Sequence, residues 1–405
     1  MTGVQTCALP ICAYQIKHYA WASIEEAFNA AKTLGIDLDS LDAIGIIGSK
    51  DDELYHQVQI PNINKPTISI GHHYAHALSC WPLDGYYSGI KSFVLDGQGD
   101  NATTSIFCSN RLIHRLTLPE HESLGRMLRI LGQKWGVKGH RADLAGKLMA
   151  LQSYGKINTE TLTKHAGVTY AELKDVFMDA PTAQDIDWLH TVHNIAEELI
   201  ISLFKEYANP TEPITFAGGV AQNVVINAKL HEWNENILIP PHSPDDGLSL
   251  GIVEFLRLAY KQPPFSNEGF PFWQNDTVTE TPDIATIKKA AKAIAEGEII
   301  GWMQGSGELG PRALGNRSIL MRPDVLNGKD VINQRVKHRE NYRPFGCSVL
   351  LEDVQEHFDC AYSSPYMLYA VPVKNKNLPA ITHVDGTCRI QTVSNGVFKI
   401  GRAHV

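Results

Sequence analysis

Two strand-to-glycine turns constrain the fold of this 405-residue chain most. In FAGGVAQN, Phe216 to Asn223, an apolar run from Pro213 to Ala217 reads as a strand, stops at Gly218-Gly219 and passes into a helix from about Gln222. In LDGQGD, a strand over Ser92 to Leu95 runs into the turn Asp96 to Asp100, which carries Gly97 and Gly99. Glycines at the end of a strand let backbone N–H groups approach a phosphate, and a helix start beside them adds its dipole. Close packing explains many single turns of this kind. Here there are two, with no GxxxxGK[ST] loop and no GxGxxG after a strand.

The remaining pattern alternates strands and helices. Ser23 to Leu34 predicts an amphipathic helix with Ser23 as N-cap. Short strands are expected at Ala43 to Ile47 and Ile68 to Ile70, and a meander at Thr103 to Cys108 and Leu112 to Leu118 around Ser109-Asn110. Helical periodicity covers Leu124 to Tyr154, Ile186 to Tyr207 and Gly247 to Tyr260. A Pro- and Thr-rich stretch, Gln262 to Asp283, reads as a linker. A helix, Ile284 to Glu296, and a strand, Ile299 to Met303, follow it, and the rest is rich in strand and loop.

The net charge of -8 and the isoelectric point near 6.1 argue against nucleic acid as the main partner. No run of about 18 apolar residues exists, so no membrane helix is predicted. The seven cysteines form no CxxC pair, and reduced cytoplasmic thiols are the simplest reading. Both ends look foreign. Back-translation of QTCALPI near the start can give the reverse complement of IGRAHV at the end, as translated sequencing-adapter DNA would. Residues 1–12 and 400–405 are therefore set aside, with the expectation that the natural product is longer at both ends.

Against this acidic background, Glu308 to Arg343 concentrates cations among glycines and prolines: Arg312, Arg317, Arg322, Lys329, Arg335, Lys337, Arg339 and Arg343. A second basic turn lies at His383 to Gln391 and carries Arg389. Guanidinium forks match phosphate oxygens in pairs, so this pattern points to a phosphate-bearing ligand. The alternative is a solvated face, or arginines neutralised by Glu308 and Glu340. In GHHYAHA, His72 and His76 are four apart and share one face of a helix, a chelating spacing for iron, zinc or a similar metal. A surface or helix-cap cluster would look the same. Asp96 and Asp245 are candidate carboxylate ligands, though the sequence alone does not bring them near the histidines.

The ordered set KH, HHYAHA, LDGQGD, SLGRM, GKLMALQSYG, FAGGVAQN, DDGLSLG, GELGPRALGNRSIL, KHRENYRPF, SSPYML and HVDGTCRIQTV resembles the O-carbamoyltransferases of nodulation-factor and antibiotic biosynthesis, the NodU/CmcH type. The two glycine turns resemble the paired phosphate loops of the acetate kinase, sugar kinase and actin superfamily. The resemblance implies an α/β chain: an actin-like carbamoyltransferase domain over 13–262, a linker over 263–283, and a partial YrdC-like α/β domain over 284–399. It implies ATP and a divalent metal as cofactors, iron or zinc, with Mg²⁺ as a further candidate. Carbamoyl phosphate would be activated to carbamoyl adenylate and the carbamoyl group passed to a hydroxyl of a sugar or natural product. Arg312, Arg317, Lys337, Arg339, Arg343 and Arg389 would handle the anions, and Ser318 would bond a phosphate oxygen. Gly218, Gly219 and Asn223 would line the adenylate, and His72, His76, Asp96 and Asp245 would hold the metal. Asp187 aligns with an acidic position near the acceptor, or is a helix N-cap before Trp188. The chain departs from the family in lacking its opening hairpin and its closing NTSFN-like stretch, and in carrying Ser306 and Gly346-Cys347. Two other readings are an acyl-adenylate transferase acting on tRNA, such as a threonylcarbamoyl transferase, and a non-catalytic nucleotide-binding regulator.

Overall fold

The structure is a computed structural model and describes residues 24–33, 35–48, 53–61, 63–84, 89–274 and 282–394. The expected cap at Ser23, the KH motif at Lys17-His18 and both terminal segments lie outside the described residues. In chain order the strands are β1 (Ile44–Ile47), β2 (Tyr55–Val58), β3 (Thr67–Ile70), β4 (Lys91–Gly99), β5 (Ala102–Cys108), β6 (Arg111–Thr117), β7 (Ile214–Ala217), β8 (Ile237–Leu238), β9 (Ile300–Met303), β10 (Arg317–Leu320), β11 (Gly346–Leu350), β12 (Ala370–Pro372) and β13 (Thr387–Val393). The helices are α1 (Ile24–Thr33), α2 (His72–Asp84), α3 (Leu124–Lys134), α4 (Leu144–Leu151), α5 (Thr159–Lys164), α6 (Leu173–Met178), α7 (Ile186–Tyr207), α8 (Val224–Trp233), α9 (Leu248–Ala259), α10 (Ile284–Ala295), α11 (Gly328–Ile332) and α12 (Val354–His357). No helix among the described residues is long and apolar enough to cross a membrane.

Two compact units form. The first takes the described residues up to Leu118 together with Pro213–Val220 and Leu238–Glu268. The second takes Pro119–Glu212, Ala221–Ile237 and the described residues from Gly269 onward.

The first unit is built on a sheet of order β6-β5-β4-β7-β8. β4, β5 and β6 make an antiparallel meander, and β7 joins β4 in parallel on its other side. That order and direction are those of an actin-like half-domain, so the expected α/β, actin-like fold is present. The buried middles of β4 and β5 explain their nearly unbroken apolar and β-branched runs. A second sheet, β1-β3-β2, pairs β1 and β3 in parallel and adds β2 antiparallel.

Helices α2 and α9 pack together, with Tyr74, Ala75 and Leu78 against Ile252, Phe255 and Leu256 in one core cluster. Their approach is set by Gly251, where a Cβ would sit 1.9 Å from the Ala75 carbonyl oxygen. Side chains larger than hydrogen do not fit there, so the glycine fixes the distance between the helices.

In the second unit, the helical stretch expected from Leu124 to Tyr154 is broken. α3 stops at Lys134, and Gly136 and Gly139 take positive φ before the chain resumes in α4. Such backbone is out of reach of a continuous helix. α7 is the longest helix among the described residues, capped by Asp185, whose side chain accepts from Trp188 N. The strand-rich remainder resolves into a β9–β10 antiparallel pair and a sheet of order β11-β13-β12.

Candidate metal cage and anion site

The metal candidates come together in the first unit. β3 ends at Ile70, Gly71 turns the chain, and α2 begins at His72. One helical turn later His76 points the same way, and the two Nε2 atoms are 3.1 Å apart. Asp96 lies where the β4–β5 register shifts, between Leu95 and Gly99. Its Oδ2 is 3.4 Å from His72 Nε2. Asp245 opens the short turn before α9 and places Oδ1 3.4 Å from both imidazole Nε2 atoms. The four ligand atoms lie within 4.8 Å of one another.

The glycines serve this arrangement. Gly218 has φ +92°, and a Cβ there would meet the Leu95 carbonyl oxygen at 2.3 Å. That close approach lets Gly219 N donate to Asp96 Oδ1 at 2.7 Å. A Cβ on Gly99 would fall 2.3 Å from the His72 ring, whereas Gly97 faces open space. Asp100, at the end of the turn, accepts from His73 N at 3.1 Å and so caps the start of α2.

The spacing fits a cation. Ligands at ~2.0–2.2 Å around one ion stand roughly 3.0–3.4 Å apart along the edges of its shell. The electrostatics agree. Burial disfavours a charged His72, yet the hydrogen bonds it donates to Asp245 and Asp96, together with their charges, outweigh it and raise the imidazole to about 10. Burial likewise opposes ionised Asp96, but the histidines hold its carboxyl well below the usual carboxylate range. The two carboxylates thus favour a positive charge at this point, which a bound cation would supply. Imidazole and carboxylate together suit borderline divalent ions. His73 points elsewhere, with Nδ1 2.9 Å from Ser105 Oγ.

The anion candidates lie in the second unit, and the structure sorts them. Arg312, Arg339, Arg343 and Arg389 stand close enough for their charges to act on one another. Burial first, and then the neighbouring guanidinium groups, lower Arg339 and Arg389 to about 10 and Arg312 well below the usual arginine value. An arginine keeps its proton at neutral pH. The depression therefore reflects buried charge first and neighbouring cations second, and a bound anion would offset both. The Nε atoms of Arg312 and Arg389 are buried without a hydrogen-bond partner among the described residues. Arg339 is anchored by Asn333 Oδ1 at 2.7 Å and lies over the Phe345 ring, 4.6 Å from its centroid.

Neither carboxylate nearby forms a direct ion pair with this group, although the Glu340 charge still acts on Arg339 and Arg343 through space. Glu308 is buried, and its Oε1 accepts from the backbone N–H groups of Leu314, Asn316 and Arg317 at 2.8, 2.8 and 3.0 Å. Glu340 pairs instead with Lys147 at 2.6 Å.

Other expected residues have different occupations. The Arg317 guanidinium donates to the carbonyls of Gln304, Gly305 and Asn316 at 2.8–3.0 Å, which holds the GPRALG turn closed. Ser318 Oγ accepts from Gly315 N at 3.0 Å. Lys337 is exposed at the end of a short helical turn. Asn223 is the N-cap of α8, and its amide reaches His193 Nε2 at 2.9 Å. Asp187 is not the cap before Trp188, a position that Asp185 fills. Its Oδ1 accepts from Lys156 N at 2.8 Å. Lys147, Asn333 and Phe345 contact these residues although the sequence pattern did not single them out.

Family comparisons agree with the motif order. A model described as Carbamoyltransferase N-terminus matches residues 49–178, and one described as Carbamoyltransferase C-terminus matches 291–398. Nodulation protein NolO of Bradyrhizobium diazoefficiens is 32% identical over 80% of this chain and 67% of its own length. Nodulation protein NolNO of Sinorhizobium fredii is 31% identical over 81% of this chain and 55% of its own. The 3'-hydroxymethylcephem-O-carbamoyltransferase of Streptomyces clavuligerus is 30% identical over 63% and 53%. The chain thus spans about half to two thirds of the length of these relatives. Among solved structures, full-length HypF in its phosphate- and nucleotide-bound form is 14% identical, covering 60% of this chain and 50% of that one, with a TM-score of 0.38. With two family models in register and NolO matched at this identity, the chain belongs to the carbamoyltransferase family.

Proposed function

We propose that this chain takes part in ATP-dependent O-carbamoyl transfer to a hydroxyl of a sugar or other small molecule. Carbamoyl phosphate, ATP and one water would give carbamoyl adenylate, phosphate and pyrophosphate. The carbamoyl carbon would then pass to the acceptor oxygen, with AMP leaving and the hydroxyl proton going to solvent or a base. The observation that carries this reading is the group Arg312, Arg339, Arg343 and Arg389, set close together while Glu308 and Glu340 are bound elsewhere. Two polyanions repel each other, and only fixed cations bring them into reacting distance and hold the leaving pyrophosphate.

His72, His76, Asp96 and Asp245 would hold a divalent ion in the first unit. Such an ion supplies Lewis-acid stabilisation of an oxygen that gains charge. The chain's own part is to keep Asp96 aimed, through Gly219 N, and His72 aimed, through the start of α2. Arg317 and Ser318 shape the turn that carries Arg312, and Asp187 is left out of the chemistry. The tests are product assays with ATP and carbamoyl phosphate. AMP and pyrophosphate formed only when carbamoyl phosphate is present support the proposal. ADP formation, or no dependence on carbamoyl phosphate, overturns it.

A further inference from the structure

Lys147 is a buried lysine on α4, 6% exposed, in a helix whose other inward residues are apolar. Its ammonium reaches out of this setting to Glu340 Oε1 at 2.6 Å and to the Lys138 carbonyl. The chain makes room for it. Gly139 has φ +124°, and a Cβ there would lie 2.5 Å from Lys147 Nζ. Any side chain at 139 would displace the ammonium, so the positive-φ glycine and the lysine form one device.

The device acts on an unusual carboxylate. In KHRENYRPF, Lys337 to Phe345, Glu340 is the one acidic residue among four basic side chains if His338 is counted. It is near enough to Arg339 and Arg343 for their charges to interact. Left alone, Glu340 would turn toward those guanidinium groups, since opposite charges at short range in a half-buried site attract strongly. That contact would cancel part of the field an anionic ligand needs.

We propose that Lys147 is a positioning residue for the anion site, holding Glu340 away from the arginines so that their charge is kept for the ligand. This rests on the reading of the arginine group as an anion site. An uncommon pattern follows: a cation is required for anion binding although it does not touch the anion, and removing its carboxylate partner as well makes it dispensable.

The test uses inorganic pyrophosphate as the probe, with calorimetric titration of the wild-type chain, Lys147→Met, Glu340→Gln and the double variant, each with a melting curve. Lys147→Met should weaken pyrophosphate binding by about tenfold or more, the scale of an uncompensated charge beside a binding group. The double variant should return to within about threefold of wild type, and Glu340→Gln alone should bind at least as tightly as wild type. In turnover, Lys147→Met should raise KM for ATP more than it lowers kcat. A purely structural role makes the opposite prediction, with the double variant no better than Lys147→Met. That result overturns the proposal, as does wild-type affinity in Lys147→Met. Should Lys147→Met not fold, weakened binding in Glu340→Gln alone overturns it. Wild-type protein that ignores pyrophosphate removes the anion site itself, and this inference with it.

Discussion

Gly251→Ala should disturb the metal cage from a distance. The glycine sits on α9 where that helix crosses α2, and an added Cβ would lie 1.9 Å from the Ala75 carbonyl oxygen. Backbone oxygen cannot rotate aside, so the two helices must part by about 1 Å to restore contact distance. α2 carries His72 and His76, and Asp245 stands just before α9. The same movement stretches the 3.4 Å edges between Asp245 and the histidines. A displacement of about 1 Å takes a side chain out of a ~2.0–2.2 Å bonding shell. Overpacking in a well-filled core costs about 1–3 kcal/mol, and losing one properly placed ligand costs about 10–100-fold in metal affinity. Denaturant unfolding reads the first quantity, and titration with Zn²⁺ or Co²⁺ against a competing chelator reads the second. Gly146→Ala is the control: it lies within α4, no atom comes within 4 Å of the added Cβ, and it should be neutral or stabilising by about 0.4–1 kcal/mol. If Gly251→Ala unfolds and binds metal like wild type, the geometric reasoning fails.

Gly99→Ala should lower metal affinity without a comparable loss of stability, because its Cβ meets the His72 ring, which can swing away, at 2.3 Å; unchanged Zn²⁺ affinity would count against the cage. Glu308→Ala leaves three amides, two of them buried, without their acceptor and should destabilise the second unit by about 2–4 kcal/mol, measured by denaturant unfolding. Burial opposes ionised Glu340, but the bond from Lys147 holds its carboxyl below the ordinary value of 4.5. Being depressed in the folded state, it lends stability above that value and loses it as pH falls through the lower folded value. Wild type should therefore lose more stability on acidification than Glu340→Gln does, and equal slopes would refute the linkage.

How much of this was legible beforehand depends on sequence separation. His72 and His76 announce themselves because a helix repeats every 3.6 residues. Asp96 and Asp245 carry no such mark. They join the histidines only because parallel pairing of β4 with β7 and the seating of α9 on α2 bring distant strand ends and turns together. The meander and α7 were readable from periodicity, while the break between α3 and α4 was not. It depends on Gly136 and Gly139 taking positive φ, which composition permits without requiring. Arg312 and Arg317 are one residue type in one loop. Only the folded turn shows Arg317 on three carbonyls and Arg312 buried within range of the Arg343 and Arg389 charges. The Asp185 and Asp187 roles differ by two positions at a helix start, a distinction that depends on where the first turn begins. The pair Lys147–Glu340 spans 193 residues and leaves no local signal at all.

Under the proposed function, the clustered arginines of the second unit activate a carbamoyl group with ATP. Carbamoyl-phosphate-dependent exchange of labelled pyrophosphate into ATP measures that step without any acceptor. The wild-type chain should catalyse it. Arg312→Ala should lose about 2–5 kcal/mol of anion stabilisation, a fall of roughly 30-fold to several thousand-fold in rate. Exchange that persists undiminished in Arg312→Ala, or that proceeds without carbamoyl phosphate, would contradict the account.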